Sequence, residues 1–263
     1  MPPPENVEGR TMPAPDAAAT ARLAVFAPLE SRGRAETITR RLADAISLGL
    51  LADGEQLPSE PDLAARLGVA TVTVREALSE LREQGLIVTR RGRGGGSFVR
   101  APKQEETAER LRRRLSDLTV ADLRDIGDHY STLAAGAALL AAERASPDDL
   151  ERLGEAAEAF AGAAGIERQH HTDGRFHVEV AAAAQSARLT REEIRTQTDI
   201  GPLLWLPGAD VHTRRRLDLQ HREIVAAIAA EDGELAARLA RRHVNESLER
   251  LVELHLSLVE PLG

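Results

Sequence analysis

The chain has 263 residues, 42% of them apolar, enough for one large domain or two of ordinary size with a real core. Only six residues are aromatic against 44 alanines, which favours close-packed helices and argues against a large β-sandwich or barrel. The absence of cysteine excludes disulfides, thiolate zinc sites and thiol catalysis and fits a cytoplasmic protein, and no run approaches the ~18 apolar residues of a membrane span.

The net charge of −8 is unevenly spread: residues 34–103 carry +2 and residues 104–263 carry −9, so two modules with different partners are expected. Residues 1–33 have prolines at 2, 3, 4, 13, 15 and 28 and no apolar signal core, and read as a disordered tail. Ile38, Leu42, Ala45 and Ile46 recur at helical spacing and predict an amphipathic helix. Leu57-Pro58-Ser59-Glu60-Pro61-Asp62-Leu63 follows, with Ser59 as N-cap and Asp62 completing a capping-box-like pattern. That helix stops at Gly68; the next starts near Ala70, buries Val74, Ala77, Leu78 and Leu81, and ends at Gln84-Gly85. Two helices across a short glycine-containing turn form a helix-turn-helix pattern. Leu86–Thr89 and Ser97–Val99 then read as strands flanking the basic turn Arg90–Gly96, a hairpin wing whose arginines can reach phosphates or a minor groove.

These residues resemble the winged helix-turn-helix domain of GntR-type bacterial transcription regulators. The match runs through Leu57-Pro58-Ser59-Glu60, Leu63-Ala64, Leu67-Gly68-Val69, Thr73-Val74-Arg75-Glu76-Ala77-Leu78, Gly85-Leu86-Ile87, Gly92-Arg93-Gly94 and Phe98-Val99. The resemblance implies a double-stranded DNA operator as partner, with the second helix in the major groove and the wing in the neighbouring minor groove. It assigns DNA contacts to Thr71, Thr73 and Arg75 on the helix and to Arg91, Gly92 and Arg93 on the wing. Ala70 and Thr71 stand where the family has Ser or Thr followed by Arg, so the resemblance does not carry over an operator sequence.

Residues 101–104 read as a linker and residues 105–263 as a second module. Helices are expected at Glu105–Leu115, from Thr119, at Tyr130–Arg144, from Pro147 to about Gly162, and around 167–184, 186–199, 211–231 and 234–258. Short breaks and no strand pattern predict an antiparallel helical bundle. The fold class is therefore mainly α: a winged helix-turn-helix with a small β-hairpin, then an all-α bundle.

Asp173 and His177 lie at i and i+4 on one helix face. His221 and His243 are each eleven residues from Asp232, which places both about 16 Å from the turn of a helical hairpin, at the same height. One carboxylate and three imidazoles suit zinc, nickel, iron or manganese. Residues 105–258 resemble the FCD effector domain of the FadR subfamily of GntR regulators, through Leu140-Ala141-Ala142-Glu143-Arg144-Ala145, Asp173-x-x-Phe176-His177, Gln220-His221-x-x-Ile224, Ala226-Ala227-Ile228 and His243. That resemblance implies a divalent metal at Asp173, His177, His221 and His243, a homodimer, and a small organic-acid effector. Tyr130 stands where the family carries an effector-gripping Arg, which leaves Tyr130, Arg175 and Arg188 as candidate pocket residues. The expected function is a ligand-responsive transcription regulator, a repressor released by a carboxylate metabolite, with no catalytic residues. The alternatives are a metal-dependent enzyme using the Asp/His cluster, and a regulator whose metal is only structural.

Overall fold

The computed structural model describes Phe26 and residues 33–92, 94–100 and 107–259. Most of the tail at 1–33, wing residue Arg93 and the linker at 101–104 lie outside the described residues. Phe26 corrects the tail expectation at one point: it is buried in the core of the N-terminal module, with the Arg66 guanidinium 6.0 Å from its ring centroid.

The N-terminal module opens with α1 (Arg34–Ser47), whose Ile38, Leu42, Ala45 and Ile46 are buried as the periodicity predicts. Ser59 caps α2 (Glu60–Leu67) by accepting from the Asp62 N–H, and Gly68, at φ 65, ends it in the left-handed region. α3 (Thr71–Glu83) packs Val74, Ala77, Leu78 and Leu81 inward. Strands β1 (Ile87–Arg90) and β2 (Gly96–Val99) pair antiparallel, from Ile87 opposite Val99 to Arg90 opposite Gly96.

The bundle comprises α4 (Thr107–Asp117), α5 (Val120–Arg144), α6 (Pro147–Ala161), α7 (Ile166–Ala183), α8 (Ala187–Leu204), α9 (Val211–Ala229) and α10 (Gly233–Val259). Two expectations change. The helix starting after Thr119 and the one at Tyr130–Arg144 are a single 25-residue helix, opened by a Thr119–Asp122 capping box. Gly127 lies inside it, where a Cβ would sit 3.0 Å from Leu248 Cδ1; the glycine admits a close approach of α10. Helix α8 runs past 199 to Leu204 with Pro202 inside it, because Ile200, Leu203 and Leu204 bury their side chains in the core and outweigh the hydrogen bond lost at proline. Alanines 134, 137, 138, 141, 227, 236 and 240 fill much of the core and let the helices pack closely. None of the described helices is long and apolar enough to cross a membrane.

The two modules are packed together. Val178 of α7 and Ile194 of α8 are buried in the N-terminal module's own apolar core, alongside Leu48 just beyond α1. Thr198 donates its hydroxyl to the Asp44 carbonyl at 3.4 Å. Gly174 faces Leu48 so closely that a Cβ would lie 3.4 Å from Leu48 Cδ2.

Candidate metal centre and nucleic-acid interface

Three helices deliver four ligating side chains to one place: Asp173 and His177 from α7, His221 from α9 and His243 from α10. All four are buried, and one donor atom from each lies within 4.8 Å of the others. Their aromatic surroundings fix the rings. Phe176 stacks on His221 with centroids 3.9 Å apart, and Phe160 meets the same imidazole edge-on at 4.7 Å. Trp205, closing α8, donates its indole N–H to Asp173 Oδ2 at 3.1 Å. Gln220 Oε1 lies 2.9 Å from His243 Nδ1, and its amide nitrogen donates to Glu246 Oε2 at 2.8 Å. The amide oxygen therefore accepts from His243 Nδ1–H, and His243 Nε2 is left with its lone pair.

The donor set fits a divalent metal. Asp173 Oδ1 and both His221 nitrogens are buried without a hydrogen-bond partner, although His221 Nε2 approaches Oδ1 to 3.3 Å. His177 Nε2 and His243 Nε2 face each other at 3.1 Å. Orphaned buried polar atoms are costly, and a shared cation satisfies them together. Burial pushes His177 down to about 4 and His243 well below the usual imidazole range. Burial alone would raise Asp173, but His221 beside it and the facing His177 and His243 hold its carboxyl below the ordinary carboxylate range. Neutral imidazoles and an ionised carboxylate are the protonation states that metal ligation requires.

Of the three pocket candidates, only Tyr130 adjoins this cluster. Its ring is 5.9 Å from that of His177, and its hydroxyl accepts from Gln197 Nε2 at 2.5 Å. The same amide donates to Glu193 Oε1 at 2.9 Å, while the buried Glu193 Oε2 has no partner. Burial raises Glu193 to about 8. Arg175 and Arg188 correct the expectation: both are exposed, and the charge of Arg175 acts on Glu179 rather than on the cluster. His170 also stays outside, against Gly201.

In the N-terminal module, Thr71 and Thr73 are half-buried on the first turn of α3, and Val72 between them is 57% exposed. Arg75 is exposed and points its Nε and Nη2 at Glu60 Oε2, each at 3.1 Å. The wing is braced from two sides. The Arg90 guanidinium sits 4.4 Å from the Phe98 ring centroid, and Gln56 donates to the Gly95 carbonyl at 3.0 Å. Arg91 and Gly92 are exposed at the tip, where Gly92 has φ +99 and Gly94 φ +83, conformations that favour glycine.

Residues 34–96 match the bacterial regulatory proteins of the gntR family, and residues 125–246 match the FCD domain. The chain is 40% identical over 236 residues to a Mycobacterium gastri protein named as the HTH-type transcriptional regulator RmpR, covering 89% of this chain and 86% of that one. The chain belongs to the GntR family. It is a DNA-binding transcription regulator with an FCD domain, and the metalloenzyme alternative falls away, since the family and these relatives are regulators. Two further relatives match at lower identity or over a shorter length. An Escherichia coli protein named for the L-lactate dehydrogenase operon is 29% identical over 79% of this chain and 85% of its own. The Mycobacterium tuberculosis regulator Rv0494 is 37% identical over 51% of this chain and 54% of its own.

Within this GntR chain, sequence reasoning found all four cluster residues but gave no site role to Trp205, Gln220, Glu193 and Gln197, although Gln220 stood in the motif beside His221. The signal for Gln220 was its place next to His221; for the others, no spacing relation to the ligands existed.

Proposed function

We propose that this GntR regulator is a cytoplasmic homodimeric repressor that senses a small carboxylate at a divalent metal held by Asp173, His177, His221 and His243. One observation carries the reading: four donor atoms from three helices within 4.8 Å, with Asp173 Oδ1 and both His221 nitrogens lacking any other partner. A divalent ion there supplies positive charge in a buried setting and a place for an oxyanion. Asp173 holds the negative charge, with Trp205 fixing its second oxygen. His243 is kept in the ligating tautomer by Gln220. Tyr130, Gln197 and Glu193 form a polar wall beside His177, where a bound metabolite would exchange hydrogen bonds. The winged modules would contact the operator through Thr71, Thr73, Arg75, Arg91, Gly92 and Arg93. The name of the Escherichia coli relative, tied to lactate metabolism, is in keeping with an organic acid.

The test is to measure metal content after reconstitution with zinc, nickel, iron or manganese, then operator affinity with and without chelator and candidate acids. About one ion per chain, and acid-dependent operator release that chelation abolishes, is the expected result. Metal that raises the melting temperature while leaving acid binding and operator affinity untouched would favour a purely structural ion.

A further inference from the structure

The outer face of α3 is divided. Val74, Ala77, Leu78 and Leu81 point into the core, while Val72, Arg75, Glu76, Glu80 and Glu83 are exposed. Spacings of three and four set Val72, Arg75 and Glu76 side by side on that outer face. Its two ends differ in charge. The first turn holds no acidic residue, whereas the second half presents Glu76, Glu80 and Glu83. DNA phosphates repel the acidic half. The first turn is therefore the part that can enter a major groove, which is how the second helix of a helix-turn-helix docks. Val72 leads there. Among the described residues of the N-terminal module it is the one large aliphatic side chain left exposed, at 57%.

The first turn lacks the usual grip on guanine, a bidentate arginine. Thr71 has no such fork, and Arg75 spends Nε and Nη2 on Glu60 Oε2, each at 3.1 Å. Thr71 and Thr73 flank Val72 and are half-buried. What the turn projects outward is a pair of methyl groups that β-branching confines to few rotamers. The matching apolar feature of the major groove is the C5-methyl of thymine, which the other three bases lack. We infer that Val72 reads a thymine methyl, so that the operator is recognised at that position by an apolar contact rather than by hydrogen bonds. The inference deepens the operator-contact reading and rests on α3 facing DNA. Taking one methyl group out of water corresponds to about fourfold in affinity.

The experiment selects duplexes from a randomised pool with the full-length protein, then replaces each thymine of the best duplex by deoxyuridine, one at a time. Deoxyuridine pairs as thymine does and lacks only the methyl. Affinities are measured by fluorescence anisotropy for the parent, Val72→Ala, Thr71→Ser, Thr73→Ser and Arg75→Ala, with a melting temperature for each. At one thymine, and at its mate where the selected site is two-fold, the parent should lose about fourfold on deoxyuridine. Val72→Ala should lose about as much on the thymine duplex and then be indifferent to deoxyuridine at that position, with melting unchanged. Thr71→Ser and Thr73→Ser should keep the deoxyuridine penalty. A penalty that survives Val72→Ala, or a parent indifferent to deoxyuridine everywhere, overturns the inference. A penalty erased by one of the threonine substitutions instead gives the methyl to that threonine and overturns Val72. In both cases the weaker binding of Arg75→Ala still places α3 on DNA. Four substitutions that all leave every affinity unchanged overturn the operator-contact reading as well.

Discussion

Trp205 donates its indole N–H to Asp173 Oδ2 at 3.1 Å, so the single tryptophan of the chain touches a candidate metal ligand directly. Such outer partners fix ligand orientation, and their loss commonly costs about 10–100-fold in metal affinity. Trp205→Phe keeps the packing against Phe160 but removes the donor. It should weaken zinc binding by roughly tenfold or more, read by competition with a chromophoric chelator. In the parent protein, metal uptake should change the tryptophan emission. Equal zinc affinity in parent and Trp205→Phe would show that this hydrogen bond does not position the carboxylate.

The choice of histidines is tested by three substitutions. His177→Ala and His221→Ala should each reduce metal retained after dialysis to a small fraction. His170→Ala should leave it unchanged, because His170 sits against Gly201 outside the cluster. Equal retention in all three would place the ion elsewhere.

Glu193 gives a pH signature. Burial raises its folded-state pKa to about 8 from an ordinary 4.5. The folded protein therefore holds this proton more tightly than the unfolded chain. The stabilising contribution is complete below about pH 4.5 and is lost as pH rises through about 8. Glu193→Gln mimics the protonated acid at every pH. Melting temperatures of metal-free protein should show the variant gaining on the parent between pH 4.5 and 8, with the difference level above that window. A difference that does not vary with pH would mean that Glu193 ionises freely in the folded state.

Arg75 turns one edge of its guanidinium, Nε and Nη2, toward Glu60. That edge is not free for a bidentate grip on a guanine, and the remaining nitrogen suits a phosphate. Arg75→Ala should weaken binding to all duplexes alike and reduce the dependence of log affinity on log salt by about one. A loss of 1–3 kcal/mol confined to one base position, the mark of a base contact, would instead mean that Glu60 releases the arginine on the operator.

Much of this arrangement was legible because short-range chemistry dictated it. Ser59 and Asp62 announced a helix start, Gly68 its end, and the four-residue step from Asp173 to His177 a shared face. The equal distances of His221 and His243 from Asp232 brought them together as the hairpin geometry requires, with rings 4.7 Å apart. What stayed hidden depended on packing between distant segments. Trp205 lies 32 residues from Asp173 and meets it only because α8 folds back along α7. Leu248 approaches Gly127 from a distant stretch of the chain, a contact that no local pattern encodes. Arg175 and Arg188 looked like substitutes for a missing arginine because composition says nothing about which way a helix turns its charged face.

Helix α7 presents Asp173 and His177 to the Asp/His cluster and, one residue after each, Gly174 and Val178 toward the N-terminal module. Turning such a helix by ~10° moves its outer surface by about 1 Å, so a rotation of α7 at the cluster also moves its face against Leu48. Genetically, this predicts a separable class of alleles. Substitutions at Gly174, Val178 or Ile194 should leave metabolite binding normal while transcription no longer answers to it, whereas substitutions at the four ligands should abolish both.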